Sequence, residues 1–172
     1  LFVAVLPVHA TNSGDFVTTL SSYWVDPVGT ASLADVQQLP GGTFQKLDRP
    51  HAFELDHGAL WLQLEIPALN PAKRWYLVVE GAAFTDLATL YLQTPGGKWA
   101  RQDAGDHLPV ASWPHPDRTP VFELDAAPSS TMWLRLENHP SPLSPSLQLI
   151  DAQGLQANRD HSLLMLGGYL GF

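Results

Sequence analysis

The segment from Trp113 to Arg118 combines one aromatic ring with three polar side chains. Sugar rings present apolar C–H faces that pack on Trp or Tyr, and their hydroxyl groups bind well to Asp and Arg side chains. Trp113 with His115, Asp117 and Arg118 offers both kinds of contact. The segment therefore predicts a binding loop for a carbohydrate or another small polar molecule.

This segment lies in the longest irregular stretch of the chain, residues 101–120, which contains prolines at 109, 114 and 116. Long loops of this kind are usually functional or disordered. In a second interpretation, Trp113 closes the end of the domain and Arg118 pairs with a carboxylate to fix the loop. If the loop binds a ligand, Trp113→Ala and Arg118→Ala should weaken ligand affinity in a protein that still folds. If the second interpretation holds, these substitutions should instead cause loss of folding.

Two residues outside the loop are also ligand-binding candidates. Trp99 follows the Gly96-Gly97 turn, where its ring either packs across strands or is exposed to a ligand. Arg74 begins a predicted strand and is a second anion-binding group. The alternative for Arg74 is a solvated sheet edge, because edge strands commonly carry basic residues.

Catalytic patterns do not emerge. A Gly-x-Ser-x-Gly motif is absent from the sequence, which removes the usual serine nucleophile of α/β-hydrolases. Glu123 and Asp125 share one face of a predicted strand, as a glycosidase pair would, but this spacing is also typical of a solvent-facing strand. We expect no enzymatic activity from this domain.

The sequence likewise predicts no metal and no cofactor. The histidines lack a His-x-x-x-His pair. The nearest cluster, His51, Asp56 and His57, is interpreted as a surface turn. Asp103 and Asp106 lack the alternating acidic ligands of a calcium loop.

The net charge and the absence of cysteine restrict the kinds of partner that this chain is expected to bind. The net charge is −8 and no Lys/Arg cluster occurs, so the electrostatic basis for binding nucleic acid is missing. The absence of cysteine excludes disulfides, thiolate zinc sites and cysteine nucleophiles. A small-molecule ligand, a second copy of the chain or another receptor is the expected partner.

Both ends of the chain are apolar. Residues 1–10 end in Val8-His9-Ala10, which fits the end of a secretory signal peptide, although a first buried strand is the alternative. Ser162 to Phe172 contains no charge and is interpreted as the start of a transmembrane helix, with a packed C-terminal helix as the alternative. This predicts an exported domain over residues 11–155 and a linker with the first membrane helix over 156–172.

Between these ends, short alternating runs are separated by Pro and Gly turns, which is typical of an antiparallel β-sandwich. One helix is predicted after Ser32, which is expected to cap it with Asp35 in a weak capping box and to direct Leu33 and Val36 onto the sandwich. Four tryptophans within strand patterns are expected in the core. The predicted strand segments are Trp61–Ile66, Trp75–Val79, Leu87–Leu92, Val121–Leu124, Met132–Leu136 and Leu147–Ile150, and the tryptophans are Trp24, Trp61, Trp75 and Trp133.

Over residues 22–150 the sequence resembles the type 2 extracellular domain of bacterial seven-transmembrane receptors with diverse intracellular signalling modules. The similarity is carried by a first strand running into a turn and a short helix, a Trp-Leu strand, a Gly-Asp pair before the long loop, and an Arg ahead of a Phe-containing strand. The residues concerned are Asp26-Pro27, Trp61-Leu62, Gly105-Asp106, Arg118 and Phe122.

This resemblance implies a jelly-roll-like β-sandwich with one short helix, similar to carbohydrate-binding modules. It also implies a periplasmic sensor domain of a Gram-negative inner-membrane receptor, followed by seven membrane helices and a histidine kinase or diguanylate cyclase. The alternatives are a protein-interaction or dimerisation module, and a secreted glycan-binding or glycan-degrading protein. The family has no fixed binding motif, so the ligand residues rest on the local patterns above.

Overall fold

A computed structural model describes residues 21–47, 51–80, 85–125 and 130–160. The strands are β1 (Ser21–Asp26), β2 (Gln45–Lys46), β3 (Ala59–Ile66), β4 (Trp75–Glu80), β5 (Leu87–Gln93), β6 (Trp99–Ala104), β7 (Val121–Leu124), β8 (Ser130–Glu137) and β9 (Ser146–Asp151). The helices are α1 (Leu33–Gln37) and α2 (residues 152–160), with a 3-10 turn at Val110–Ser112. The predicted signal-peptide end (1–10) and the predicted membrane helix near Ser162 lie outside the described residues.

The strands form two antiparallel sheets. The larger has the order β2-β1-β3-β8-β5-β6, and the smaller has the order β7-β4-β9. Because the described strands pair antiparallel and only short helices accompany them, the predicted all-β sandwich is confirmed. None of the helices in the described ranges has both the length and the apolar character needed to cross a membrane.

The main core lies between the two sheets and follows the period-two pattern of the strands. Leu60, Leu62 and Leu64 of β3 are fully buried, as is Leu134 of the neighbouring β8. Leu77 of β4 packs in the same core from the smaller sheet. Each such leucine contributes roughly 1.5–3 kcal/mol of transfer free energy, so the alternating pattern favours this register over a one-residue slip.

Helix α1 covers the outer face of the larger sheet. Ser32 accepts the Asp35 backbone N–H, and the Asp35 carboxylate accepts the Ser32 N–H at 2.8 Å, which confirms the predicted capping box. Val36 is buried against Trp61 and Trp133. These two tryptophans are buried as predicted, but under the helix and outside the space between the sheets.

Helix α2 covers the outer face of the smaller sheet. Its Leu155 packs on Tyr76, Val78, Val121 and Ile150. At its start, the Asp151 carboxylate accepts the Gly154 N–H at 2.9 Å and so caps the helix. The sequence interpretation treated residues 156–160 only as a linker, because a single leucine among polar residues gives no clear helical stripe.

Candidate functional site

The irregular stretch expected over residues 101–120 is shorter in the structure, because β6 extends to Ala104 and leaves residues 105–120 as the long loop. The first residues of this loop are anchored to the β4–β5 connection. Asp106 N–H donates to Thr85 O at 2.9 Å, and His107 N–H donates to Asp86 O at 3.0 Å. Gly105 has φ +137°, and a Cβ added there would lie 2.5 Å from Asp86 O. Only glycine permits this close approach, which gives a physical reason for the Gly-Asp pair that carries part of the family resemblance.

Trp113 is buried at the end of the main core. Its residual exposure is 6%, and its indole Nε1 donates to Leu108 O at 3.3 Å. The indole therefore packs the loop against the sandwich from within. This position fits the interpretation in which Trp113 closes the end of the domain.

Polar residues of the loop are joined to helix α2 by one arginine. Arg159 Nε donates to Asp117 Oδ2 at 2.8 Å, and Arg159 Nη2 donates to His115 Nε2 at 2.8 Å and to Pro116 O at 3.2 Å. A guanidinium has no acceptor, so His115 accepts through Nε2 and carries its proton on Nδ1. The His115 ring also contacts Tyr76 of β4 at a centroid distance of 5.3 Å. Loop, helix and smaller sheet are thereby joined in one cluster.

Of the four candidate residues Trp113, His115, Asp117 and Arg118, it is Arg118 that is exposed. Its backbone N–H donates to Asp117 Oδ1 at 2.7 Å, and its guanidinium has no hydrogen bond or ion pair within the ranges that the structure describes. A guanidinium of this kind is available for bidentate binding of carboxylate or hydroxyl groups.

Trp99 and Arg74 are placed elsewhere. Trp99 is partly buried on the outer face of the larger sheet, in the cluster of Trp61 and Trp133, and so lies on the opposite face of the sandwich from Arg159. Arg74 is exposed, and its carbonyl accepts the Ala152 N–H at 3.1 Å, at the start of α2. The structure brings His115 and Asp117 together with Arg159, while Trp99 is separate from them.

Near Trp99, the polar groups of the larger sheet are paired with one another. Arg135 forms an ion pair with Glu137, donates to Gly29 O at 2.6 Å and lies 6.0 Å from the Trp61 ring centroid. Asp103 accepts from Thr89 Oγ1 at 2.7 Å. These contacts join residues of the domain to one another and hold the side chains on the outer face of the larger sheet in place.

Arg159 was missed as a site residue. In the sequence it is the lone basic residue close to the apolar tail, and no local pattern links it to the loop. Its role depends on a contact across 42 residues with Asp117, which local spacing does not reveal. The two carboxylates considered for glycoside hydrolysis, Glu123 and Asp125, are exposed.

The described residues thus form a two-sheet antiparallel sandwich whose long loop is tied to helix α2. The family model described as 7TMR-DISM extracellular 2 matches residues 18–151. The chain belongs to this family, whose members are extracellular sensor domains of membrane receptors, and the suspected resemblance is thereby confirmed. Among curated proteins, none matches the sequence closely. The family fold is non-catalytic and indicates a periplasmic, membrane-associated location.

Proposed function

We propose that this domain binds a small polar ligand, with carbohydrates as the first class, at the outer side of residues 115–118, and that it transmits occupancy through helix α2. The observation that carries the proposal is the Arg159 side chain, which joins the candidate loop to the helix leading towards the C-terminal segment. Trp113 supports the loop from inside, and Trp99 and Arg74 contribute at most to other surfaces.

The chemistry of the loop favours a ligand that carries hydroxyl or carboxylate groups. Arg118 offers an unpaired guanidinium at the surface, and the partly exposed Asp117 and His115 lie next to it in the chain. Because the whole domain carries a net charge of −8, an anionic ligand depends on the charge of Arg118 for local attraction, whereas a neutral sugar uses the Arg118 guanidinium as a hydrogen-bond donor.

In this proposal, signalling follows because the ligand and Arg159 compete for the side chains of Asp117 and His115. A ligand that hydrogen-bonds Asp117 or His115 replaces bonds that Arg159 makes to them, and so favours a state in which α2 is released or shifted. A ligand moves such an equilibrium only as far as its affinities for the two states differ. The signal would then pass into a receptor of a Gram-negative inner membrane with a histidine kinase or diguanylate cyclase as output.

The test is a thermal-shift screen of the domain against mono- and oligosaccharides and small carboxylates, with calorimetry on the hits. A true ligand raises Tm in proportion to the logarithm of its concentration once that exceeds Kd. Its effect should disappear in Arg118→Gln and persist in Arg101→Gln, which removes an exposed arginine of β6 that pairs with Asp103. Binding that survives Arg118→Gln would move the site away from the loop. A negative screen with a dimer in solution would favour the protein-interaction alternative.

A further inference from the structure

A second group of side chains lies at the end of the larger sheet where β3 begins and β8 ends. Asp56 and His57 belong to the turn before β3, and His139 follows β8. One candidate ligand atom from each of the three residues lies within 4.8 Å of the other two. Sequence spacing could not reveal this group, because His139 lies far downstream of the Asp56-His57 pair.

Two imidazoles and one carboxylate suit a divalent ion of intermediate hardness, such as Zn²⁺. Zn²⁺ is bound in proteins by imidazole nitrogens and carboxylate oxygens, and sites with three protein ligands keep a fourth position open for water or another ligand. The His57 and His139 rings are stacked with centroids 5.0 Å apart, so both imidazoles stand on the same side of the turn. Asp56 Oδ1 lies 3.8 Å from His57 Nε2.

His139 already has the orientation that a metal ligand needs. Its Nδ1 lies 3.0 Å from the Asp56 carbonyl oxygen, which can only accept a hydrogen bond. In the neutral ring this contact puts the proton on Nδ1 and leaves the lone pair on Nε2. In metal-binding histidines, the ring nitrogen that does not bind the metal characteristically donates its N–H to a carbonyl or carboxylate in this way. A carboxylate oxygen of Asp86 also accepts the backbone N–H of His139 at 2.8 Å.

The two loops that carry these residues are fixed to each other. Phe53 and Leu143 exchange two backbone hydrogen bonds of 2.8 Å, and Gly58 N–H donates to Leu55 O at 2.6 Å. Ligands held on such a backbone lose little conformational entropy on binding a metal. The side chains are themselves open to solvent, with 81% and 85% of the His57 and Asp56 side chains exposed, so an ion can enter directly.

We propose that Asp56, His57 and His139 form a binding site for a divalent late first-row transition ion, with Zn²⁺ as the reference ion and one coordination position open. The net charge of −8 favours cation uptake. Asp86 contacts both His139 and the first residues of the long loop, so the site lies beside the base of that loop. The site does not depend on the proposed ligand loop.

The experiment is calorimetry of ZnCl₂ with chelator-treated protein in a non-coordinating buffer. We expect one Zn²⁺ per chain, competition by Ni²⁺ and none by Mg²⁺, since oxygen-preferring ions do not favour imidazole. His57→Asn and His139→Asn should each weaken Zn²⁺ binding by at least about tenfold. His51→Asn is the matched control: it removes another exposed imidazole, which contacts Tyr23 and Phe53, and should leave the affinity unchanged.

His139→Asn also removes the contact with Asp56 O, so its folding has to be checked by thermal melting. His57 makes no ring hydrogen bond in the described ranges, and His57→Asn is therefore decisive if the His139 variant is unfolded. Absence of stoichiometric Zn²⁺ binding, or binding that is unchanged in the folded His57 variant, would overturn the proposal.

Discussion

Arg159 and Asp117 are joined by two close contacts, Nε to Oδ2 at 2.8 Å and Nη2 to Oδ2 at 2.7 Å, although 42 residues separate them in sequence. Only 16% of the Asp117 side chain is exposed, so water competes weakly for this carboxylate. The pair therefore links the long loop directly to helix α2. The proposed coupling between a ligand on the loop and helix α2 depends on this contact.

Arg159→Gln and Asp117→Asn should each release the loop from the helix. We expect faster amide hydrogen exchange over residues 113–118 and 155–160 in both variants, and a loss of about 1 kcal/mol in the free energy of unfolding, because the pair is partly shielded from solvent. Mass-spectrometric hydrogen exchange and urea unfolding measure the two effects.

Arg118→Gln is the control for this prediction, since it removes a positive charge, as Arg159→Gln does, from the residue next to Asp117 without breaking a described side-chain contact. The double variant of Arg159 and Asp117 should cost less than the sum of the single variants. Additive losses, or equal exchange in all three single variants, would show that the pair does not couple loop to helix.

Trp113→Ala should strongly destabilise the fold. The indole is 6% exposed within the main core, and truncating a buried Trp or Phe to Ala typically costs about 3–5 kcal/mol. Trp113→Phe keeps most of the apolar volume and should cost less. Urea unfolding followed by circular dichroism compares the two. A Trp113→Ala protein with wild-type stability would instead place the ring at the surface, where it could serve a ligand.

The fold could be predicted from sequence because its determinants are local. Alternating runs such as Trp61–Ile66 define strand faces, and Ser32 with Asp35 marks the start of α1 by hydrogen bonds within four residues. The strand patterns also predicted that Trp61 and Trp133 are buried. They could not show that these rings face outwards, because α1 supplies the cover from another part of the chain.

The site was less predictable because its contacts are long-range. The chemistry of His115 and Asp117 makes them candidates, but their partner Arg159 belongs to a helix that packs on the sheet through Leu155 and Ala152. The Asp56 and His139 contact likewise joins two loops that come together only when β3 pairs with β8. The sequence identifies the side chains that have the chemistry to bind a ligand or a metal, and the tertiary fold determines which of them lie in contact.

Asp26→Ala should destabilise the turn between β1 and α1. The Asp26 side chain is buried, and its two oxygens accept the Val28 N–H at 3.1 Å and the Ala31 N–H at 2.8 Å. Removing the carboxylate leaves two amide donors without their partner, which costs about 1–3 kcal/mol for each donor that stays buried. Asp26→Asn retains one acceptor oxygen and should fall between wild type and Asp26→Ala in urea unfolding. Equal stability of all three proteins would contradict this role.

Glu80→Gln should stabilise the domain at neutral pH. Burial raises the pKa of the Glu80 carboxyl above its ordinary value of 4.5, so the folded state holds this carboxylate at a desolvation cost. With the folded pKa above the unfolded one, the favourable contribution of Glu80 is fully present below the unfolded pKa and is lost as the pH rises through the folded pKa. The Gln148 Nε2 donor, now 2.8 Å from Glu80 Oε2, keeps an acceptor in the glutamine variant.

The stability gain of Glu80→Gln should therefore be largest near pH 7, a few tenths of a kcal/mol or roughly 1 °C in Tm. The gain should shrink as the pH falls towards 4.5, the ordinary pKa of a glutamate carboxyl, because the wild-type group then becomes protonated in both the folded and the unfolded state. Glu54→Gln at an exposed position changes the net charge equally and controls for that effect. Thermal melts of the three proteins at several pH values measure the difference. A gain that is independent of pH, or that Glu54→Gln reproduces, would mean that burial of Glu80 is not its cause.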